Sequence, residues 1–441
     1  MRYIDDFVTS YNKSGALRFH MPGHKGRAVT GCEELDITEI KGADYLFEPG
    51  GIIKKSEEQM ARAYGSAAAL YSTEGSSLCI KAMLGIIKMK KMSLRVLAGR
   101  NCHKAFIDGC ALLDADVRWI YPARASSSVC SSFITAEDIG HELEKGAYDC
   151  VYLTSPDYLG FMTDIGACAD VCRKHGVPLL VDNAHGAYLR FTENDLHPMS
   201  LGASMCCDSA HKTLPCLTGT AMLHIAKGCE ELASGAEGIM SMFGSTSPSY
   251  LLMRSLDIAS DMLACGDLPE RIKQTERAVS KARAGIEALG FRTVGSEPLK
   301  ITVWAPGTGL SGDGLAQELR HRGIECEYSD PEYLVLMPSV MTTEDELGRL
   351  VAAFSEIPKG TETDRIKMPV LSPCERAVSI RDAAFSPCEN VSPDEALGRI
   401  CARTISGCQP AVPVAVCGEI INKDCISVLK AYAIDKVSVI E

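Results

Sequence analysis

Short apolar runs alternate with stretches of helical periodicity along most of this chain. Residues 67–72, 95–98, 117–121, 150–154, 177–181 and 219–225 are apolar segments bounded by Gly, Pro, Ser or Asp. Segments of that length and composition predict buried strands. Between them, residues 55–64, 78–91 and 164–175 carry helical spacing, and 251–265 and 270–289 follow as longer helices. Strands alternating with helices predict a parallel, doubly wound α/β sheet. Ahead of it, Tyr3, Ile4, Phe7, Val8 and Tyr11 recur at helical spacing, so residues 1–15 read as an amphipathic helix. That helix could cover a neighbouring subunit or its own domain, and the pattern leaves both open. After the long charged helix, strands at 299–304 and 333–337 with a helix between them describe a smaller α/β domain. Residues 359–371 read as a linker. The tail reads as α+β, with a helix over 393–403 and strands at 412–416 and 436–440. The expected division is 1–60 for an N-terminal segment with pocket loops, 61–265 for a large domain, 266–360 for a small domain and 365–441 for a C-terminal domain.

Composition narrows this picture modestly. The chain has 441 residues, 46% hydrophobic and 23% charged, which suits a globular protein of two or three domains. A formal net charge of −12 argues against nucleic acid as a partner. Acidic Asp5 and Asp6 stand where an apolar leader would begin, and no stretch approaches a membrane span, so a cytoplasmic location with no membrane partner is expected. The 20 cysteines are scattered and form no four-ligand pattern; they read as reduced thiols, and no metal site is expected.

Candidate chemistry lies just beyond the ends of the strands. The run 177–181 closes at Asp182, followed by Asn183-Ala184-His185-Gly186, and Ser209-Ala210-His211-Lys212 comes later. A strand-end aspartate with a lysine after Ser-x-His suits pyridoxal phosphate (PLP). The amine can form a Schiff base with the aldehyde, and the carboxylate can keep the pyridine nitrogen protonated. The run 67–72 leads through Gly75-Ser76-Ser77 into a helix, an arrangement that can hold phosphate on backbone N–H groups and hydroxyls. A plain N-cap role for Ser76 or Ser77 reads equally well. His103 follows the strand 95–98, where ligands of open α/β sheets bind, although a structural histidine is common there. His20-Met21-Pro22-Gly23-His24 reads as an ordered, pocket-lining loop.

These strings resemble the bacterial ornithine/lysine/arginine decarboxylases of PLP fold type I, in the short form without an N-terminal wing domain. The resemblance runs nearly the full length. It rests on His20-x-Pro22-Gly23-His24-Lys25, Leu46-Phe47-Glu48-Pro49-Gly50-Gly51, Gly75-Ser76-Ser77, Arg100-Asn101-x-His103-Lys104 and Ser155-Pro156-x-Tyr158-x-Gly160. It continues through Asp182-x-Ala184-His185-Gly186, Ser209-x-His211-Lys212-Thr213-Leu214-Pro215, Ser245-Thr246-Ser247-Pro248-Ser249-Tyr250 and the stretch 372–419. It implies an aspartate aminotransferase-like large domain with a mostly parallel seven-stranded sheet, a smaller α/β domain and a C-terminal α+β domain. By resemblance, Lys212 carries PLP, Asp182 pairs with the pyridinium, and His103 stacks on the ring. Gly75, Ser76, Ser77 and Ser209 hold the phosphate, joined by Thr246 from a partner subunit, and His185 and His211 stand beside the cofactor. A homodimer or higher oligomer with shared active sites follows. The implied reaction is decarboxylation of lysine, arginine or ornithine, with His211 and Lys212 as candidate proton donors. Glu327 and Asp330, with His20 and His24 as further candidates, would meet the substrate. Another PLP reaction on this scaffold, such as an aminotransferase or lyase, remains an alternative, as does a silent homologue. The chain departs from the family at Asn183, where Glu is usual, at Ser76-Ser77, where Thr-Ser is usual, and at Gln409-Pro410-Ala411, where Pro-Pro-Gly is common.

Overall fold

The computed structural model describes residues 1–121, 131–358, 360, 369–406 and 412–441. The linker expected at 359–371 falls largely outside these residues, and Gln409-Pro410-Ala411 falls wholly outside them. Seven strands run in chain order: β1 (Ala68–Ser72), β2 (Leu94–Gly99), β3 (Ala115–Ile120), β4 (Cys150–Thr154), β5 (Leu179–Asp182), β6 (Met205–Asp208) and β7 (Ala221–Ile225). They form one sheet of order β1-β7-β6-β5-β4-β2-β3. β2 pairs in parallel with β3 and β4, and β5 with β6, while β7 is antiparallel to β1 and β6. Every residue of β4, β5, β6 and β7 is buried. Strands covered on both faces need continuous apolar runs rather than alternation.

The chain divides into two compact units, Met1–Met92 with Pro178–Ile272, and Ser93–Val177 with Lys273–Glu441. In the first unit, the N-terminal helix is Tyr3–Lys13 and packs on its own chain. Ile4 and Val8 are fully buried, and the backbone N–H groups of Ile4 and Asp5 donate to Asp257 Oδ2 at 2.8 and 3.0 Å. Asp44 caps helix Ile52–Tyr64: its Oδ2 accepts from Gly51 and Ile53 N–H at 2.7 and 3.0 Å, and its Oδ1 from Gly50 at 2.9 Å. These bonds satisfy helix-start donors that no intrahelical carbonyl reaches.

The second unit carries a four-stranded antiparallel sheet. Its strands are β8 (Arg292–Val294), β9 (Ile301–Trp304), β10 (Tyr328–Ser329) and β11 (Tyr333–Leu336), in the order β10-β11-β9-β8. Helices Gly312–His321 and Glu344–Ser355 accompany it, the latter started by a Thr343/Glu346 capping box. A final pair, β12 (Cys388–Val391) and β13 (Val437–Ile440), joins helix Lys423–Ala431 around Val414, Ala415, Ile421, Val428, Leu429 and Val439.

The tail differs from the sequence expectation. No helix spans 393–403. Ser392 donates its N–H and hydroxyl to Glu395 Oε2 at 3.0 and 2.7 Å, beside a single 3-10 turn, Asp394–Ala396. Gly398, at φ +77°, then turns the backbone out of any helix, and Ile400 and Cys401 enter β-bridges with Ile420 and Val439. Residues 412–416 form no strand, only a bridge from Ala415 to Ile405. β6, which precedes Ser209 and Lys212, is not among the expected strands; its Met205, Cys206 and Cys207 are buried, the two thiols packing as small apolar groups. Among the described residues, no helix is long and apolar enough to cross a membrane.

Candidate active site

Helix Gly75–Lys88 begins directly after β1, three residues before the expected start. Its N-cap residue Glu74 makes no capping bond, so the first N–H groups are not taken by a side-chain cap. Ser76 and Ser77 therefore lie inside the first turn and are not N-caps. Gly75 adopts φ +69°, with no atom within 4 Å of where a Cβ would stand. A side chain there would be strained by the backbone and would occupy the open space in front of the helix. The hydroxyl of Ser209 donates to Ser76 Oγ at 2.9 Å. Hydroxyls, first-turn N–H groups and a glycine-lined gap suit a phosphate.

Asp182 ends β5 and is 2% exposed. Its Oδ1 accepts from Ala184 N–H at 3.1 Å, with Cys207 Sγ at 3.6 Å. Lys212 lies on a one-turn helix, Ala210–Thr213, immediately beyond β6. Its Nζ is 2.9 Å from Nε2 of buried His185. The neighbouring His211 has Nδ1 at 2.8 Å from Thr220 O. A carbonyl only accepts, so Nδ1 carries hydrogen and Nε2 holds the free lone pair. Burial, helped by the Lys212 charge, lowers the His211 pKa, partly opposed by the Thr220 bond. A phosphate cradle, a buried strand-end carboxylate and a primary amine are the donor set that PLP requires, and this first unit supplies all three.

The other expected residues sit differently. Thr246 is exposed, in the loop that follows helix Ala236–Phe243; next to it, Ser245 N–H donates to Glu74 of the same chain. His20 bonds Tyr11 OH through Nε2 at 2.6 Å and approaches Met21 O through Nδ1. His24 accepts from Gly26 N–H at 3.0 Å and meets Asp36 Oδ2 at 3.2 Å. Both histidines thus serve first to order their own loop.

In the second unit, His103 caps helix Lys104–Leu113, its Nδ1 accepting from Ala105 N–H at 3.0 Å. Asp330 is 4% exposed, and its Oδ1 accepts from the N–H groups of Glu332 and Tyr333 at 2.8 and 2.7 Å. Tyr328 OH donates to its Oδ2 at 3.0 Å. Burial raises the Asp330 pKa, partly opposed by those bonds. Glu327 is exposed and accepts from Tyr158 OH at 3.1 Å.

One group escaped the sequence reading. Asp208, the last residue of β6, is wholly buried together with His197 and His224. Its Oδ1 accepts from Asn183 Nδ2 at 2.6 Å, and its Oδ2 lies 2.9 Å from His197 Nε2 and 3.2 Å from His224 Nε2. Burial works against its charge, but the two imidazoles more than offset that and hold its pKa below the ordinary carboxylate range.

The Orn/Lys/Arg decarboxylase major-domain family matches residues 5–290. An arginine decarboxylase of Halalkalibacterium halodurans is 30% identical over 457 aligned positions, covering 96% of this chain and 91% of its own length. An arginine decarboxylase of Bacillus subtilis is 28% identical, covering 93% and 89%. Among solved structures, a lysine decarboxylase of Francisella novicida superposes with a TM-score of 0.81 at 18% identity, covering 100% of this chain and 81% of its own.

Proposed function

Because this chain belongs to the Orn/Lys/Arg decarboxylase family and is a PLP-dependent amino-acid decarboxylase of fold type I, we propose that it removes the α-carboxylate of lysine, arginine or ornithine at Lys212. The observation that carries this is the Lys212 amine beside His185, at the end of β6 and next to the strand that ends in Asp182. PLP held by Lys212 supplies an electron sink for the bond pair left behind as CO2 departs.

The chain's own groups do the rest. Gly75, Ser76, Ser77 and Ser209 hold the phosphate. Asp182 keeps a proton on the pyridine nitrogen, because a buried carboxylate favours the cation beside it. His185 accepts a hydrogen bond from Lys212 Nζ and directs the amine. After CO2 leaves, Cα needs a proton. His211, with Nδ1 fixed to Thr220 O, can carry one only on Nε2, and Lys212 Nζ is the other candidate. Product analysis by mass spectrometry with the three amino acids tests the reading: a single amine one CO2 lighter is expected, and a keto acid would indicate an aminotransferase instead.

Substrate choice rests on the distal cation, which needs a counter-charge once desolvated. Asp330 is occupied by its own turn, so Glu327, on an exposed position beside Tyr158, is the better candidate. Glu327→Gln is expected to lower kcat/KM for the best substrate by about 10- to 150-fold, the range for a lost charge-assisted bond. Asp330→Asn should act mainly on stability. If kcat/KM is unchanged in both variants, recognition moves to the His20–His24 loop.

Assembly is read from the Ser245-Thr246 loop, which would complete the phosphate site of a partner subunit in a homodimer. Mixing a Lys212→Ala chain with a Ser245→Ala/Thr246→Ala chain should restore activity through one undamaged site. A fully active monomer in sedimentation would sink the shared-site reading.

A further inference from the structure

β5 and β6 are parallel neighbours, and each ends at a different part of the cofactor site. Asp182 closes β5, and Ser209 and Lys212 follow β6. The residues adjoining these two ends, Asn183 and Asp208, are joined by a side-chain bond of 2.6 Å, and Asn183 N–H also donates to Cys207 O at 3.0 Å. Behind them, His197 Nδ1 accepts from Met199 N–H at 3.3 Å, which leaves its Nε2–H directed at Asp208 Oδ2. The ring of Tyr64 packs on both imidazoles, at centroid distances of 5.0 Å to His197 and 4.4 Å to His224. Its hydroxyl donates to Ala187 O at 2.6 Å, two residues beyond His185.

A carboxylate with 0% exposure is costly to bury, and partners at every side only offset that cost. An apolar residue would fill the strand end without it. The carboxylate gives something an apolar residue cannot, a directional tie between two strand ends. We propose that Asp208 is a positioning residue: through Asn183 it fixes Asp182 relative to the Ser209–Lys212 turn, so that the pyridine and phosphate contacts keep one spacing. This rests on the reading that Asp182, Ser209 and Lys212 hold PLP. No step of the chemistry passes through Asp208 itself.

The test compares wild type, Asp208→Asn, Asn183→Ala and the exchange Asn183→Asp/Asp208→Asn, which returns one carboxylate and one amide to the same contact. Three quantities are measured on each: thermal unfolding of the apo-protein, affinity for added PLP by absorbance titration, and the visible band of the bound cofactor against pH. Asp208→Asn and Asn183→Ala are expected to bind PLP roughly 10- to 100-fold more weakly, the scale of one lost charge-assisted bond, with a displaced band. The exchange is expected to restore affinity and band towards wild type. If Asp208→Asn does not fold, Asn183→Ala reads the same tie from its other end.

Wild-type affinity and spectrum in Asn183→Ala would overturn the proposal. So would an exchange variant that recovers thermal stability but not affinity or band, because that marks a packing role alone. One equivalent of metal in wild type, lost in Asp208→Asn, would overturn it in favour of a His197–Asp208–His224 metal centre. A folded wild type that takes up no PLP defeats the cofactor reading itself and this proposal with it, and that result is distinguishable because it precedes any substitution.

Discussion

Lys212→Ala is expected to abolish decarboxylation and covalent retention of PLP while leaving the fold in place. The one-turn helix that carries Lys212 is set by backbone and burial: Ala210 and Thr213 are buried, and Lys212 N–H bonds Ser209 O at 3.2 Å. None of these depends on the amine. Loss of the side chain removes the group that bonds the aldehyde and one candidate proton carrier together, so kcat should fall on the order of 10³-fold or more. Borohydride treatment of wild type should fix the cofactor on the peptide containing Lys212, and no peptide should be labelled in the variant. Thermal unfolding of the apo-protein should differ little between the two. Label on another lysine, or residual activity near wild type, would remove Lys212 from the proposed role. His185→Gln keeps a polar neighbour at that position and should lose far less than Lys212→Ala.

Most of the sheet was legible in the sequence, because strands buried on both faces leave unbroken apolar runs. The run 150–154 coincides with β4 residue for residue. β6 was missed because Met-Cys-Cys-Asp reads as polar or reactive, although its thiols are packed as small apolar groups and burial raises the pKa of both. The tail failed for another reason. Its segments are held by isolated bridges and by contacts between distant residues, and 393–403 has helical spacing that Gly398 cancels. In the site, Asp182 and Gly75-Ser76-Ser77 could be read as candidates because each follows an apolar run, and Lys212 because it follows Ser209-x-His211. The Asp208 cluster could not. Its members come from positions 183, 197, 208 and 224, and their meeting depends on the antiparallel register that sets Cys206 opposite His224 in β7. The role proposed for Thr246 on a partner subunit has no local signal, since a single chain's pattern carries no trace of a symmetry-related copy.

Substitution of either partner in the Arg100–Glu419 pair is expected to produce the largest loss of stability in the second unit. Arg100 follows β2, and Glu419 lies in the tail; they are 6% and 3% exposed. The guanidinium grips the carboxylate with two bonds, Nη1 to Oε1 at 2.6 Å and Nη2 to Oε2 at 2.7 Å. It lies 4.9 Å from the Trp119 ring, and Glu419 Oε2 also accepts from Val416 N–H at 2.8 Å. Burial alone would lower the arginine's pKa, yet the Glu419 charge and bonds raise it above the ordinary value, so the guanidinium stays charged. Removing one member leaves a buried charge without its counter-ion, a change that costs about 3–5 kcal/mol, whereas removing both often costs little. Arg100→Met and Glu419→Gln should therefore each lower the urea midpoint strongly. The double variant should recover much of the loss, a coupling that independent sites would not show. Because the contact is shielded from solvent, raising the salt concentration should not close the gap between wild type and the single variants. Additive losses in the double variant, or singles that shift stability by less than about 1 kcal/mol, the level of an exposed pair, would mean that the tail is held to β2 by its apolar core rather than by this pair.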